Sequence, residues 1–240
     1  MDRDAAQLGR VFRPDLAILG DLGETLDGLL ARLEAHAPTA TAAPSRTKPP
    51  GDERFRVMAA FYAGLADRFP AAAMVFDDNI VFAQSYFDVS DANHYFPNTG
   101  ISSLGYALPA AIGARLHARL AGREPPTFAI MGDGGFQMCG MEIMTAVNYA
   151  IPLNVVVINN GSMSLIRKNQ VQLYGGRYID CDFVNPDFAL LAESFGIRHH
   201  RVETEADVAA LFARADLEGG INLIEIPLDK HAFPTYLSNR

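Results

Sequence analysis

From about residue 54 the chain alternates between two hydrophobic rhythms. Phe55, Met58, Tyr62, Leu65 and Phe69 recur at helical spacing on one face, and "AAMVF" over 72–76 follows as a wholly apolar strand. After a loop rich in Asp, Asn and aromatic residues, "GYALPAAIGARLHARL" over 105–120 predicts a helix. Pro109 falls in its first turn, where a missing N–H costs nothing. Further strands are predicted over 127–131, 153–158, 198–202 and 221–226, separated by helices over 139–150, 187–195 and 206–217. Most strands are apolar throughout instead of at alternate positions. The pattern predicts a doubly wound parallel α/β sheet covered on both faces.

Upstream the pattern is thinner. "PDLAILGD" over 14–21 predicts a strand, and Leu26, Leu29, Leu30 and Leu33 share one face of the helix after it. Asp21 and Glu24 form a capping-box variant at its start. One strand and one helix cannot close a core, so this appendage is expected to pack on something else. Residues 36–53 carry four prolines and no apolar periodicity, the composition of an extended linker. The expected organisation is an appendage over 1–35, a linker over 36–53, the α/β domain over 54–228 and a tail over 229–240.

Composition narrows the class of function. The chain of 240 residues is 49% hydrophobic and carries a net charge of −8, with no run of Lys or Arg longer than two. Phosphate backbones need clustered positive charge, so no nucleic-acid partner is expected. Cys139 and Cys181 make neither a disulfide framework nor a metal-type spacing. No apolar run reaches ~18 residues and no basic start precedes one, so neither a membrane span nor a signal peptide is expected and a cytoplasmic location is the default.

The chemistry is concentrated where two apolar strands stop. "AIMGDGGF" over 129–136 and "VVVINNG" over 155–161 end in Gly132–Gly135 and in Asn159 and Asn160. In a parallel sheet, ligands sit beyond the carboxyl ends of the strands. Asp133 and Asn160 would meet there, offering one anionic and one neutral oxygen ligand. That pair suits Mg²⁺ or Ca²⁺ beside a phosphate, because Mg²⁺ takes few protein ligands and fills its sphere with phosphate oxygens and water. Gly134 and Gly135 would let backbone N–H groups approach an anion near a helix beginning about Gln137.

Gly132-Asp133-Gly134, then 24 residues, then Asn159-Asn160 resembles the cofactor signature of thiamine diphosphate enzymes. The likeness extends through "ISSLGYALPAAIGA" (101–114), "GMEIMTAVNYAIPLNVVVINN" (140–160) and "NPDFALLAESFGI" (185–197). Over about 54–228 the chain is similar to the diphosphate-binding domain of the acetolactate synthase and benzoylformate decarboxylase group, and residues 1–34 resemble the end of that group's middle domain. The resemblance implies thiamine diphosphate and Mg²⁺ as cofactors. Asp133, Asn160 and the carbonyl of Ser162 would hold the cation; Gly134, Gly135 and the loop around Asn79 would meet the diphosphate. Leu104 would prop the cofactor in its bent form, bringing its imino nitrogen to the carbon it deprotonates. Ser102 would offer its carbonyl to the pyrimidine amino group, Met163, Ser164 and Leu165 would line the thiazolium, and Ile166 would face a 2-oxo acid substrate.

The same resemblance implies something missing. The family's activating glutamate belongs to a pyrimidine-binding domain for which this chain has no room; Glu142 reads as a structural helix residue. The expectation is one half of a split enzyme, a carboligase or a simple decarboxylase, in a heterotetramer with a pyrimidine-domain subunit. Asn169 stands where biosynthetic acetolactate synthases carry a tryptophan. Arg167 and Lys168 read as helix-surface charges, with a substrate carboxylate as the alternative for Arg167; His199 and His200 read as an edge-strand pair. His94 and His231 stay open. A non-catalytic relative is the rival from another class, against which Asp133, Asn160 and Leu104 speak. A nicotinamide-binding domain fails because the G-x-G-x-x-G spacing is lacking.

Overall fold

The computed structural model describes residues 1–11, 13–33, 52–71, 73–78, 80–87, 89, 93–99 and 102–233. The chain divides into two compact units, Met1–Thr47 and Lys48–Arg240. In the first unit, helix α1 (Leu22–Leu33) forms as the leucine spacing predicts, with Asp21 Oδ1 accepting the Glu24 N–H at 3.0 Å. No residue of α1 is buried, and its leucines stand exposed. The strand predicted over 14–21 does not form. One parallel bridge, Asp2 to Leu19, is all the pairing this stretch makes, and a single bridge is no ladder.

The second unit follows the predicted alternation. The predicted linker lies outside the described residues except at its end, where Asp52 caps a short 3₁₀ turn (Glu53–Phe55) leading into α2 (Arg56–Arg68). Next come β1 (Met74–Asp77), α3 (Val81–Tyr86), β2 (His94–Pro97), α4 (Ala107–Leu120) and β3 (Thr127–Gly132). Helices α5 (Asp133–Cys139) and α6 (Ile143–Asn148) precede β4 (Leu153–Asn159), and α7 (Ser164–Tyr174) and α8 (Phe188–Phe195) precede β5 (Arg198–Arg201). The last elements are α9 (Glu205–Arg214) and β6 (Ile221–Pro227).

Every strand pairing within the sheet is parallel, and the order is β2-β1-β3-β4-β6-β5. Alternate residues of the inner strands feed opposite layers. Phe128, Ile130, Val156 and Ile158 pack with α2 and α9, while Ala129, Met131, Val155 and Val157 pack with α4, α6 and α8. The sheet is therefore buried on both faces, which is why its strands read as unbroken apolar runs. Truncating a residue such as Ile130, wholly buried in this sheet, costs about 2–5 kcal/mol.

Several elements differ from the sequence reading. The Asp- and Asn-rich loop contains α3 and the edge strand β2, both too short to show a period. The helix predicted over 139–150 is a 3₁₀ turn, Gly140–Glu142, followed by α6, which ends at Asn148. Gly140 sits so close to the Phe136 ring that a Cβ there would lie 2.8 Å from it. Helix α7 was given no bounds in the sequence, although Arg167 and Lys168 were read as helix-surface charges. His199 and His200 do lie in an edge strand, β5, where each ring meets its neighbour β6: His199 with Glu225 and His200 with Asn222, both at 3.0 Å.

Candidate functional site

The carboxyl ends of β1, β3 and β4 open into a cavity of about 340 Å³. Asp133 lines it. Helix α5 begins at Asp133 itself, four residues before the predicted start, so Asp133, Gly134 and Gly135 form its first turn. The carboxylate is 1% exposed and accepts four N–H donors. Oδ1 takes Gly134 N at 2.9 Å, and Oδ2 takes Asn160 N at 2.9 Å, Gly161 N at 2.5 Å and Asn185 Nδ2 at 2.7 Å. Burial pushes this carboxyl above its usual range, against the pull of those donors. A cation beside it would offset that burial.

The turn after β4 is built for this contact. Gly161 has φ of 63°, a left-handed backbone that glycine adopts without strain, and a Cβ there would lie 3.1 Å from the Phe183 carbonyl. Asn160 Oδ1 accepts the Ser162 N–H at 3.1 Å, and its Nδ2 donates to Ser164 Oγ. Ser162 and Asp182 form an antiparallel bridge flanked by Met163 N to Cys181 O at 2.8 Å and Phe183 N to Gly161 O at 3.0 Å. They are thus its non-hydrogen-bonded pair, and the Ser162 carbonyl is not consumed by the pairing. One carboxylate, one amide oxygen and one free carbonyl make a hard, oxygen-only donor set of the kind Mg²⁺ accepts. Among the described residues no cluster of three or more His, Cys, Asp or Glu competes with it as a metal site.

Of the residues singled out in the sequence, Ser102, Leu104, Asp133, Gly134, Gly135, Asn160, Ser162, Met163, Ser164, Leu165 and Ile166 all line this one cavity. Asn79 lies outside the described residues. Ser102 has φ of 54°, a strained backbone for a residue with a Cβ and one that concentrates at functional sites. Leu104 is 37% exposed, so it faces the cavity instead of filling the core. The glycines need one amendment. A Cβ on Gly135 would lie 2.6 Å from Asp78 Oδ2, and one on Gly134 would lie 2.5 Å from Met163 Sδ. Their lack of side chains makes room for this chain's own groups at the cavity wall.

Asp78 is a residue the sequence reading missed. It is 1% exposed, and its carboxylate accepts the N–H groups of Gly105 at 2.6 Å, Tyr106 at 2.9 Å and Ala107 at 3.0 Å. It therefore ties the end of β1 to the start of α4 and fixes the segment that carries Leu104. Asn185 was missed too: its amide joins Asp133 to Asn159 Oδ1 at 2.8 Å, and Asn159 continues to Glu225 at 2.7 Å. A capping aspartate 29 residues before its helix leaves no local trace.

Other expectations fail or resolve. Arg167 and Lys168 are buried, not surface charges. Arg167 gives both its short bonds to Asp182, at 2.7 and 2.6 Å, so it does not serve as a receptor for a substrate carboxylate. Its guanidinium also stacks 3.7 Å from the Tyr178 ring centre and contacts His231 at 3.4 Å. Glu142 accepts the Thr145 hydroxyl at 3.1 Å on an exposed turn, a structural role. His94 lies on the edge strand β2 and Asn169 is exposed; neither lines the cavity.

The sequence profile described as thiamine pyrophosphate enzyme, C-terminal TPP binding domain, matches residues 78–226. The chain belongs to the thiamine pyrophosphate enzyme family. The matched region holds Asp78, Asp133, Asn160 and Asn185. The chain is 30% identical to the acetolactate synthase large subunit of Lactococcus lactis over 87% of its own length and 38% of that protein's. It is 26% identical to the acetolactate synthase isozyme 2 large subunit of Escherichia coli, over 96% of its own length and 43% of that protein's. It thus spans less than half the length of these relatives. Among solved structures, the thiamine diphosphate-dependent 4-hydroxybenzoylformate decarboxylase of Rhodococcus jostii shares the fold with a TM-score of 0.70 at 24% identity, covering 92% of this chain and 42% of that one. The benzoylformate decarboxylase of Polynucleobacter necessarius does so with a TM-score of 0.66 at 22% identity, over 78% of this chain and 36% of that one. No helix among the described residues is long and apolar enough to cross a membrane.

Proposed function

We propose that this chain is the diphosphate-binding subunit of a thiamine diphosphate- and Mg²⁺-dependent carboligase, which removes carbon dioxide from a 2-oxo acid and joins the remaining acyl unit to a second carbonyl compound. The observation that carries this reading is the meeting of Asp133 and Asn160 at adjoining strand ends, beside a cavity walled by Leu104, Leu165 and Ile166. When bound, thiamine diphosphate supplies a nucleophilic carbon and an electron sink for the loss of carbon dioxide.

In this reading Asp133, Asn160 Oδ1 and the Ser162 carbonyl would hold the cation beside the diphosphate. The four donors on Asp133 fix its carboxylate before any ligand arrives, which removes the cost of ordering it. Leu104 would support the cofactor, on a segment anchored by Asp78. The apolar walls from Leu165, Ile166 and Phe82 exclude water, which strengthens electrostatic contacts inside.

The activating glutamate comes from outside these residues. The only carboxylates lining the cavity among the described residues are Asp78 and Asp133, and both are committed to N–H donors. We place that glutamate on a partner subunit with the pyrimidine-binding domain, in a heterotetramer by analogy with the symmetric assemblies common among oligomeric enzymes. The carboligase reading draws on the acetolactate synthase relatives.

The test is turnover of pyruvate with an acceptor aldehyde, by the chain alone and with a co-expressed pyrimidine-domain subunit. An acyloin or acetohydroxy acid formed only by the pair supports the proposal. Free aldehyde as the sole product replaces carboligation by decarboxylation, and full turnover by the chain alone rules out the partner.

A further inference from the structure

Glu225 is the one charged residue of β6, and it is buried in an inner strand of the sheet. Strand pairing does not require it. β6 pairs with β4 through the backbone from Ile221 to Pro227, and Glu225 stands between Val157 of β4 and Arg201 of β5. A carboxylate taken out of water is costly unless donors surround it. On the edge-strand side it meets Arg201 Nη1 at 2.8 Å and His199 Nε2 at 3.0 Å. On the other side Oε1 accepts Asn159 Nδ2 at 2.7 Å.

From Glu225 a chain of polar groups runs to the cavity. Asn159 Oδ1 accepts Asn185 Nδ2 at 2.8 Å, and the same Nδ2 donates to Asp133 Oδ2 at 2.7 Å. A side-chain amide has a donor end and an acceptor end, whereas a carboxylate only accepts. Glu225 therefore turns the Nδ2 end of Asn159 toward itself and leaves Oδ1 facing Asn185. That oxygen draws the Nδ2 end of Asn185, which puts a donor in place for Asp133. Gln137 Nε2 supports the same orientation by donating to Asn185 Oδ1 at 2.8 Å. With both amides reversed, Asp133 would face the Asn185 oxygen, and two acceptors would repel beside the cation site.

We propose that Glu225 is a positioning residue for the cation site, acting through Asn159 and Asn185 to hold the Asp133 carboxylate in the orientation that receives the cation. This rests on the reading of Asp133 as a cation ligand in a thiamine diphosphate site. Arg201 and His199 stabilise Glu225 from the edge strand, and its acceptor oxygen sets the polarity of both amides between β6 and the cavity. Groups that orient a metal ligand from behind contribute to metal affinity without touching the metal.

The test titrates the full chain, with thiamine diphosphate present, with Mn²⁺, a paramagnetic stand-in for Mg²⁺ whose free fraction is read by electron paramagnetic resonance. Glu225→Leu, Asn159→Ala and Asn185→Ala are each expected to weaken Mn²⁺ binding by about tenfold. Glu225→Gln, which still offers an acceptor oxygen to Asn159, should stay within about twofold of wild type. Because the effect passes through Asn185, adding Glu225→Leu to Asn185→Ala should change the affinity by less than about twofold. Circular dichroism reports whether each variant is folded. A folded E225L or N159A that binds Mn²⁺ as wild type does overturns the inference. So does a double variant in which the two losses multiply, since Glu225 would then act independently of Asn185. Failure of both E225L and N159A to fold overturns it as well, by assigning the chain of polar groups to the stability of the sheet. Absence of Mn²⁺ binding by wild type is a different result, which overturns the proposed function together with the inference.

Discussion

A Cβ on Gly135 would stand 2.6 Å from Oδ2 of Asp78. The two residues belong to different strand ends, yet neither has room to move. Asp78 is pinned by three backbone N–H groups at the start of α4, and Gly135 lies in the first turn of α5. Gly135→Ala is therefore expected to displace a bonded carboxylate instead of a flexible side-chain tip. The cost should be about 1–3 kcal/mol in urea unfolding, with weaker binding of thiamine diphosphate because the Leu104 segment shifts. Unchanged stability would show that Asp78 can turn away freely.

Asp133→Asn keeps the volume of the side chain and removes its charge. The new amide N–H₂ would face the N–H groups of Asn160 and Gly161, which now donate to Oδ2. Mg²⁺-dependent binding of thiamine diphosphate should fall by about tenfold or more, since the one anionic ligand of the donor set is gone. Chelation of the divalent cation should weaken cofactor binding in wild type and change little in the variant. Calorimetric titrations with and without Mg²⁺ check both.

Asp182 joins Arg167 of α7 to Lys230 of the C-terminal segment, with Nζ at 3.0 Å. Lys230 and Arg167 hold its carboxyl down to about 2. The ion cluster thus remains above the ordinary carboxylate range and fails only as pH falls toward that value. Asp182→Ala is expected to lower the thermal midpoint more than Lys230→Ala does, because it leaves the buried guanidinium of Arg167 without its carboxylate. Equal midpoints in the two variants would mean that Tyr178 and His231 suffice for Arg167.

Asp77, at the end of β1, is fully buried against Tyr95, whose hydroxyl lies 2.5 Å from Oδ2, and it accepts the Ile80 N–H at 2.8 Å. Burial raises its carboxyl from the usual 3.8 to about 7. In the unfolded chain the same group ionises near 3.8, so between those values unfolding releases a proton and stability falls as pH rises. The loss levels off above about pH 7, at about 4 kcal/mol relative to acid solution. Asp77→Asn keeps both hydrogen bonds without a titrating group. It should be more stable than wild type at about pH 8 and lose that advantage near pH 4, as read by urea unfolding across the range.

How much of this was legible in the sequence depended on whether the cause was local. Asp133 and Asn160 could be placed together because each ends an apolar run, and parallel strands bring such ends to one edge. The buried face of helix α7 could not be read, because its buried positions are Arg167 and Lys168 and its exposed ones are leucine and isoleucine. Periodicity assumes that apolar residues face the core, and a helix that lines a cavity breaks that assumption. The two glycines after Asp133 hid the first turn of α5 for a similar reason. Glycine disfavours helix on its own, and here three distant donors on Asp133 fix the turn regardless.

By itself the sequence determined the alternation of strand and helix, the burial of the sheet on both faces, and the chemistry of the strand ends, since each follows from residues near one another in the chain. Only the tertiary structure decided that Asp78 caps α4, that Asn185 braces Asp133, and that Lys168 turns inward while Arg167 is taken by Asp182. Those are matters of which groups meet across the sheet. A hydrogen bond or ion pair between residues tens of positions apart is fixed by the packing of whole layers, and no local pattern encodes it.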